Sequence, residues 1–189
     1  IVASDDEIMQ LLAPAIRADT FAALTLSDIG GYVAQHAVFT MADPFERDDD
    51  CAGVYRKSLL YLIRNALEDQ YGTDLLGLEI SLRARPELAR CYGLGGAAPG
   101  PGEVVFSRTV ATSGQSASQA EQHGAFDDDA ATMESVVRRI LGVADTAALP
   151  VGYGAETGAA GSPGAARASR ALTRALQVAW EDQVDWPAE

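Results

Sequence analysis

The sequence predicts a layered α/β fold with a mainly parallel sheet and flanking helices. Short apolar segments typical of strands alternate with segments whose apolar residues recur at helical spacing, in the order strand, strand, helix, strand, helix. A stretch rich in glycine and alanine then precedes one more helical pattern. We therefore expect an α/β domain over residues 1–143, a flexible linker over 144–166, and a terminal helix and tail over 167–189.

Three segments predict the strands of the sheet. Residues 8–15 form a short apolar run that is interrupted by Pro14. Residues 36–41 lead into a very acidic turn at residues 43–50. Residues 103–110 are rich in β-branched and aromatic side chains. Because reactive groups gather at the carboxyl ends of parallel strands, the residues that follow these segments are candidates for a functional site.

Two longer segments predict amphipathic helices. Residues 53–69 carry apolar side chains at helical spacing, and Gly72 follows them. Residues 127–141 begin with three aspartates that mark a helix start, and Gly142 is well placed to end that helix. Shorter helices are expected at residues 19–26 and 75–85.

Composition excludes several function classes. The 189 residues suffice for one domain with its own core. With 27 acidic and 14 basic residues, the formal charge of -13 repels a phosphate backbone, so we expect no nucleic-acid partner. No apolar run approaches the roughly 20 residues that span a bilayer, and the first residues are acidic where a secretory signal is basic. We therefore expect a cytoplasmic protein without a membrane partner, with Cys51 and Cys91 as free thiols.

The two histidines are the candidates for proton transfer near neutral pH. His36 begins an apolar strand and is more typical of a core residue. His123 lies between the third predicted strand and the last predicted helix of the α/β domain, within the segment 122–127, Gln-His-Gly-Ala-Phe-Asp. This position favours His123 as a general base, and the alternative is an ordinary solvent-exposed loop histidine.

The acidic turn is the natural source of a partner for His123. A catalytic imidazole needs a carboxylate that fixes its tautomer and stabilises its charged form. Asp43 is the first carboxylate after the second predicted strand, so it is the candidate acid. Residues 48–50 are more typical of a solvated run or of charges before a helix. A divalent-metal site built from these carboxylates is an alternative, but their spacing matches no loop motif such as the EF-hand, and we expect neither metal nor cofactor.

A nucleophile is harder to find in the sequence. Ser116 lies between small residues in the segment 114–118, as in a nucleophile elbow, but the strand–turn–helix context of an elbow is absent. Neither cysteine lies in an activating context. Ser116 is therefore the candidate nucleophile within this chain, without the usual setting.

These blocks together resemble the C-terminal half of an α/β-hydrolase. The resemblance rests on Leu-Leu-Ala-Pro-Ala at residues 11–15, Phe-Thr-Met-Ala-Asp at 39–43, and Val-Val-Phe at 104–106 followed by His-Gly at 123–124 and the helix around Met133. The candidate acid and histidine occur in the chain order of that fold. Residues 53–62, together with 123–127, are also similar to bacterial proteins of this hydrolase-like type.

The resemblance implies hydrolysis of an ester, thioester or amide bond in a small-molecule or peptide substrate, with His123 as base and Asp43 as acid. It covers residues 8–141, and the first strands, the oxyanion loop and the serine elbow of the family are absent. A serine on a missing N-terminal segment or on another chain would then supply the nucleophile. A partial sheet exposes an edge and an apolar face, which favours an oligomer. The alternative is a non-catalytic α/β interaction module that assembles with a partner chain.

Overall fold

The computed structural model describes residues 7–51, 53 and 55–149. Its strands are β1 (Glu7–Leu12), β2 (Val33–Met41) and β3 (Gly102–Ser107). Its α-helices are α1 (Ala18–Leu24), α2 (Asp43–Asp48), α3 (Leu59–Leu62), α4 (Glu79–Ala84), α5 (Pro86–Cys91) and α6 (Ala130–Leu141). A π-helical stretch, Ile63–Leu67, continues α3, and a 3-10 turn spans His123–Ala125. The predicted terminal helix, and the predicted linker beyond residue 149, lie outside the described residues.

The sheet is parallel, as the sequence predicted. Its strand order is β1-β2-β3, and both strand pairs run in the same direction. In the register, Val38 of β2 is paired with Leu11 of β1 on one side and Val104 of β3 on the other. The crossover from β1 to β2 contains α1, and the crossover from β2 to β3 contains α2 to α5. All three carboxyl ends therefore lie at one edge of the sheet.

The central strand β2 is buried on both faces. From His36 to Met41 no residue is more than 1% exposed. Phe39 and its odd-numbered neighbours pack against Phe126 and the α6 side chain Val136, whereas Val38 packs in a cluster with Phe21. This burial explains why the β2 sequence is a nearly continuous apolar run, as is usual for a parallel strand covered by helices on both sides.

Helix α6, the last one within residues 7–149, has the ends that its sequence predicted. The Asp129 side chain accepts a hydrogen bond from the Thr132 backbone N–H at 2.9 Å, which caps the first turn. Gly142 ends the helix with φ at 60°, a left-handed conformation that glycine adopts without steric cost. These local signals place α6 directly after the His123 turn.

Two predicted elements differ in the structure. The segment predicted as an acidic turn forms the helix α2 instead. Pro44 lies in the first turn of this helix, where the missing N–H of a proline costs no intrahelical hydrogen bond. The helix predicted over residues 53–69 begins only at Leu59. The chain before it forms a bridge between Cys51 and Tyr55, and Ser58 then caps the helix start.

The helix predicted near residues 75–85 is followed at once by another. Pro86 ends α4, as expected, and also begins α5, because the fixed φ of proline suits a first helical turn. Both cysteines are free, with Cys91 buried and Cys51 half-buried. None of the helices in the described part of the chain is long and apolar enough to cross a membrane.

Candidate functional site

The structure brings His123 against Glu46. The imidazole Nδ1 lies 3.9 Å from the Glu46 carboxylate Oε1. Glu46 lies on α2, which follows the carboxyl end of β2, and His123 lies on the connection that follows β3. Backbone atoms of Ala13, directly after β1, also interact with the imidazole. The pair therefore lies at the carboxyl ends of the strands, where α/β proteins place their ligand sites.

The Glu46 carboxyl group is fully buried. Glu46 is 0% exposed, and neither carboxylate oxygen has a well-formed hydrogen bond within the described residues. Burial raises its pKa to about 7, and the nearby Ser58 hydroxyl opposes that rise only in part. The charges of Asp49 and Asp43 contribute to this rise. Near neutral pH, both the protonated and the ionised forms of Glu46 are therefore populated, unlike those of an ordinary glutamate.

The His123 imidazole is also largely buried, with 11% of its side chain exposed. Burial lowers its pKa, while the charge of Asp49 and the backbone of Ala13 act in the opposite direction. Its Nδ1 has no hydrogen-bond partner among the residues described here. Burial thus favours the neutral form of the imidazole, which is the form that accepts a proton.

Burial raises the pKa of Glu46 and lowers the pKa of His123, so it favours the neutral form of both groups. Because the groups lie 3.9 Å apart, the protonation state of each affects that of the other. A separation of 3.9 Å is longer than a hydrogen bond, but bonds of this kind often tighten only when a substrate is in place. The arrangement can therefore move a proton at His123 while Glu46 stabilises the imidazolium that forms.

Asp43, the acid predicted from the sequence, has other partners. The Tyr61 hydroxyl donates to its Oδ1 at 2.5 Å, and Arg47 Nε donates to its Oδ2 at 2.6 Å. In the described part of the chain, Glu46 is the carboxylate that lies within 4 Å of a His123 nitrogen. The acidic segment does hold the partner of His123, but that partner lies about one helical turn after Asp43.

The sequence contained one signal for Glu46. Pro44 after a buried strand is typical of a first helical turn, and a helix over these residues turns Glu46 away from the exposed side chain of Arg47. Three aspartates in the next positions instead favoured a solvated turn. The burial of Glu46 depends on packing with distant segments, so no local pattern revealed it.

The candidate nucleophile Ser116 lies elsewhere. Its hydroxyl donates to the Glu103 carboxylate and accepts a hydrogen bond from Arg139 at 3.1 Å. Arg139 is 3% exposed and also pairs with Glu103 at 2.7 Å. Ser116 thus belongs to an ion-pair network between β3 and α6. Across residues 7–51, 53 and 55–149, no hydroxyl or thiol group forms a hydrogen bond with His123.

His36 is a core residue. It is 1% exposed, its Nδ1 lies 3.0 Å from the Met9 carbonyl oxygen, and its Nε2 lies 2.8 Å from the Tyr92 hydroxyl. Burial lowers its pKa. With both ring nitrogens engaged, the imidazole joins β1, β2 and the residue after α5.

No cluster of three or more metal-binding side chains occurs in the described part of the chain. Comparison with known proteins found no matching family model, no matching curated protein and no matching solved structure.

Proposed function

We propose that His123 is the general base of a serine-hydrolase-type site that cleaves an ester, thioester or amide bond, and that Glu46 is its supporting acid. The observation that carries this proposal is the buried pair itself, with Nδ1 and Oε1 3.9 Å apart beyond the carboxyl ends of β2 and β3. Glu46 replaces Asp43 in this role because the carboxylate of Asp43 is bound to Tyr61 and Arg47.

In the proposed reaction, His123 removes the proton from a hydroxyl nucleophile as that nucleophile attacks the substrate carbonyl. The ionised Glu46 stabilises the imidazolium, which then gives the proton to the leaving group. The nucleophile comes from outside the described residues, on a further segment of the protein or on another chain. The order of the acid and the histidine along the chain, each following a parallel strand, supports an α/β-hydrolase-like site.

The isolated chain offers a direct test with p-nitrophenyl acetate, an activated ester that an imidazole base can hydrolyse with water as the attacking group. We expect turnover that His123→Ala lowers by about 10²-fold or more, the usual contribution of general-base catalysis. Glu46→Gln should lower it less, because the base remains. The control is Ser116→Ala, which should leave the rate unchanged. Equal rates for the parent protein and His123→Ala would refute the proposed role.

A non-catalytic interaction module is the second candidate, and one observation favours it. Strand β1 is an edge of the described sheet, its residues are only half-buried or exposed, and Ile8 is 39% exposed. An open parallel edge is a template for pairing with another chain. If this reading is correct, light scattering should show a stable oligomer or complex, and the oligomer should persist in His123→Ala while ester turnover is absent from both.

A further inference from the structure

We propose that Tyr61 and Asp43 are positioning residues, which hold α2 in place and thereby keep the Glu46 carboxyl group against His123. This inference rests on the proposed function, because it concerns the geometry of the same pair. It assigns a role to two residues that do not touch the imidazole.

The helix that carries Glu46 cannot hold its own position. Helix α2 has 6 residues, and helices this short are not stable in isolation. Its N-cap residue, Ala42, offers no side chain that could cap the first turn. The place of Glu46 therefore depends on contacts between α2 and the segments around it.

Those contacts attach α2 at both ends. At its start, the Asp43 backbone N–H donates to Glu79 Oε2 at 2.8 Å, and the Asp43 carboxylate accepts from Tyr61. At its other end, the Ser58 N–H donates to the Glu46 carbonyl oxygen at 2.8 Å. Since Ser58 is the N-cap of α3 and Tyr61 lies in its first turn, the start of α3 contacts α2 both at Asp43 and at Glu46.

Tyr61 suits the role of a fixed donor. It is 4% exposed, and burial, followed by its bond to Asp43, raises the pKa of the phenol well above its ordinary value. The phenol therefore remains a hydrogen donor throughout the pH range of any assay. Arg47 and Lys57 lie over its ring at 5.5 and 5.2 Å from the centroid, which restrains the ring independently of the hydroxyl.

The chain has two histidines, so NMR titration of the full-length protein gives one curve for each. Tyr61→Phe removes the hydroxyl and keeps the ring. We expect α2 to loosen and admit water beside His123, so the pKa of His123 should rise toward its ordinary value of about 6.5. The pKa of His36, whose ring stacks on Phe21, should stay constant.

The matched control is Tyr92→Phe, which removes the hydroxyl that bonds His36 Nε2. It should change the His36 titration and leave that of His123 constant. A folded Tyr61→Phe variant with an unaltered His123 pKa would overturn the proposal. A shift of both histidines in that variant would overturn it as well, because the effect would then be a general loosening.

A second pair of variants tests the role of Asp43. This pair also tests the proposal if Tyr61→Phe folds poorly. Asp43→Ala should raise the His123 pKa as Tyr61→Phe does, and combining the two should add nothing further. Asp43→Asn keeps an oxygen that accepts from Tyr61, so it should restore most of the parent value. Equal effects of Asp43→Asn and Asp43→Ala would contradict the role of the Tyr61 bond. All these readouts are independent of ester turnover, so a failure of the hydrolase proposal remains distinguishable.

Discussion

The Nδ1 atom of His123 lies 3.9 Å from Oε1 of Glu46, and the carboxyl group is wholly shielded from solvent. Burying this pair costs free energy unless the Glu46 carboxyl group is protonated, because burial destabilises the ionised carboxylate. The free energy of unfolding therefore depends on pH through the protonation of this pair. Any reaction at His123 likewise depends on whether Glu46 is ionised.

Glu46→Gln should become more stable relative to the parent protein as pH rises. The pKa of Glu46 is about 7 in the folded protein against 4.5 for an ordinary glutamate, so the folded state binds the extra proton between these values. That contribution is fully present below pH 4.5 and is lost as pH rises through 7. Urea unfolding of both proteins should show a gain for the variant of up to about 3 kcal/mol across this range. Glu121→Gln, whose parent side chain is 70% exposed, is the control for loss of a carboxylate at the surface.

Ester turnover by the parent protein should fall on the acid side with an apparent pKa near 7. The active form has neutral His123 beside ionised Glu46, and burial raises the pKa of Glu46 to about 7. In Glu46→Gln, the acid side of the pH–rate profile reflects the titration of His123 alone. Because burial lowers the pKa of His123, this side of the profile should move to lower pH, while the maximal rate drops. Rates measured from pH 5 to 9 decide this. An identical limb in both proteins would show that Glu46 does not control the base.

Asp129→Ala should destabilise the domain by about 1–2 kcal/mol, the upper range for an N-cap. The Asp129 carboxylate accepts from the Thr132 N–H and hydroxyl and also from the Gln119 N–H at 2.8 Å. The substitution therefore uncaps α6 and releases the loop that leads to His123. Thermal unfolding is the measurement. Asp128→Ala, at an exposed position one residue earlier, should leave the midpoint nearly unchanged.

Gly77→Ala should destabilise the domain by about 1–3 kcal/mol, as overpacking of a filled site does. A Cβ at Gly77 would lie 2.5 Å from the Pro14 carbonyl oxygen and 2.7 Å from Leu60 Cδ1. The Pro14 oxygen belongs to backbone that is bonded to the Gly77 N–H, so it cannot move away without breaking that bond. Gly124→Ala is the control, since a Cβ there meets nothing within 4 Å. If the two variants unfold at the same urea concentration, the close packing beside Gly77 is not a constraint.

Local signals were sufficient for much of the fold. The aspartate and glycine at the two ends of α6 act within one helical turn, so they could be read directly from the sequence. The apolar run of β2 and the β-branched run of β3 predicted strands, and the helices between them predicted a parallel sheet, which the structure contains. The start of α3 was misplaced because apolar spacing continues through residues 53–58, whereas Ser58 and the Cys51–Tyr55 bridge place the helix start at Leu59.

From the local pattern of residues it follows that His123 comes after the strand β3 of a parallel sheet and that an acidic segment follows the neighbouring strand β2. Which carboxylate contacts the imidazole depends on contacts between distant segments. Asp43 and Glu46 lie on the same short helix, and their roles differ because Tyr61, from the next helix, bonds Asp43 while Glu46 turns into the interior toward His123. Contacts between segments far apart in the chain determine both the burial and the pKa of a side chain. The local sequence pattern does not predict such contacts.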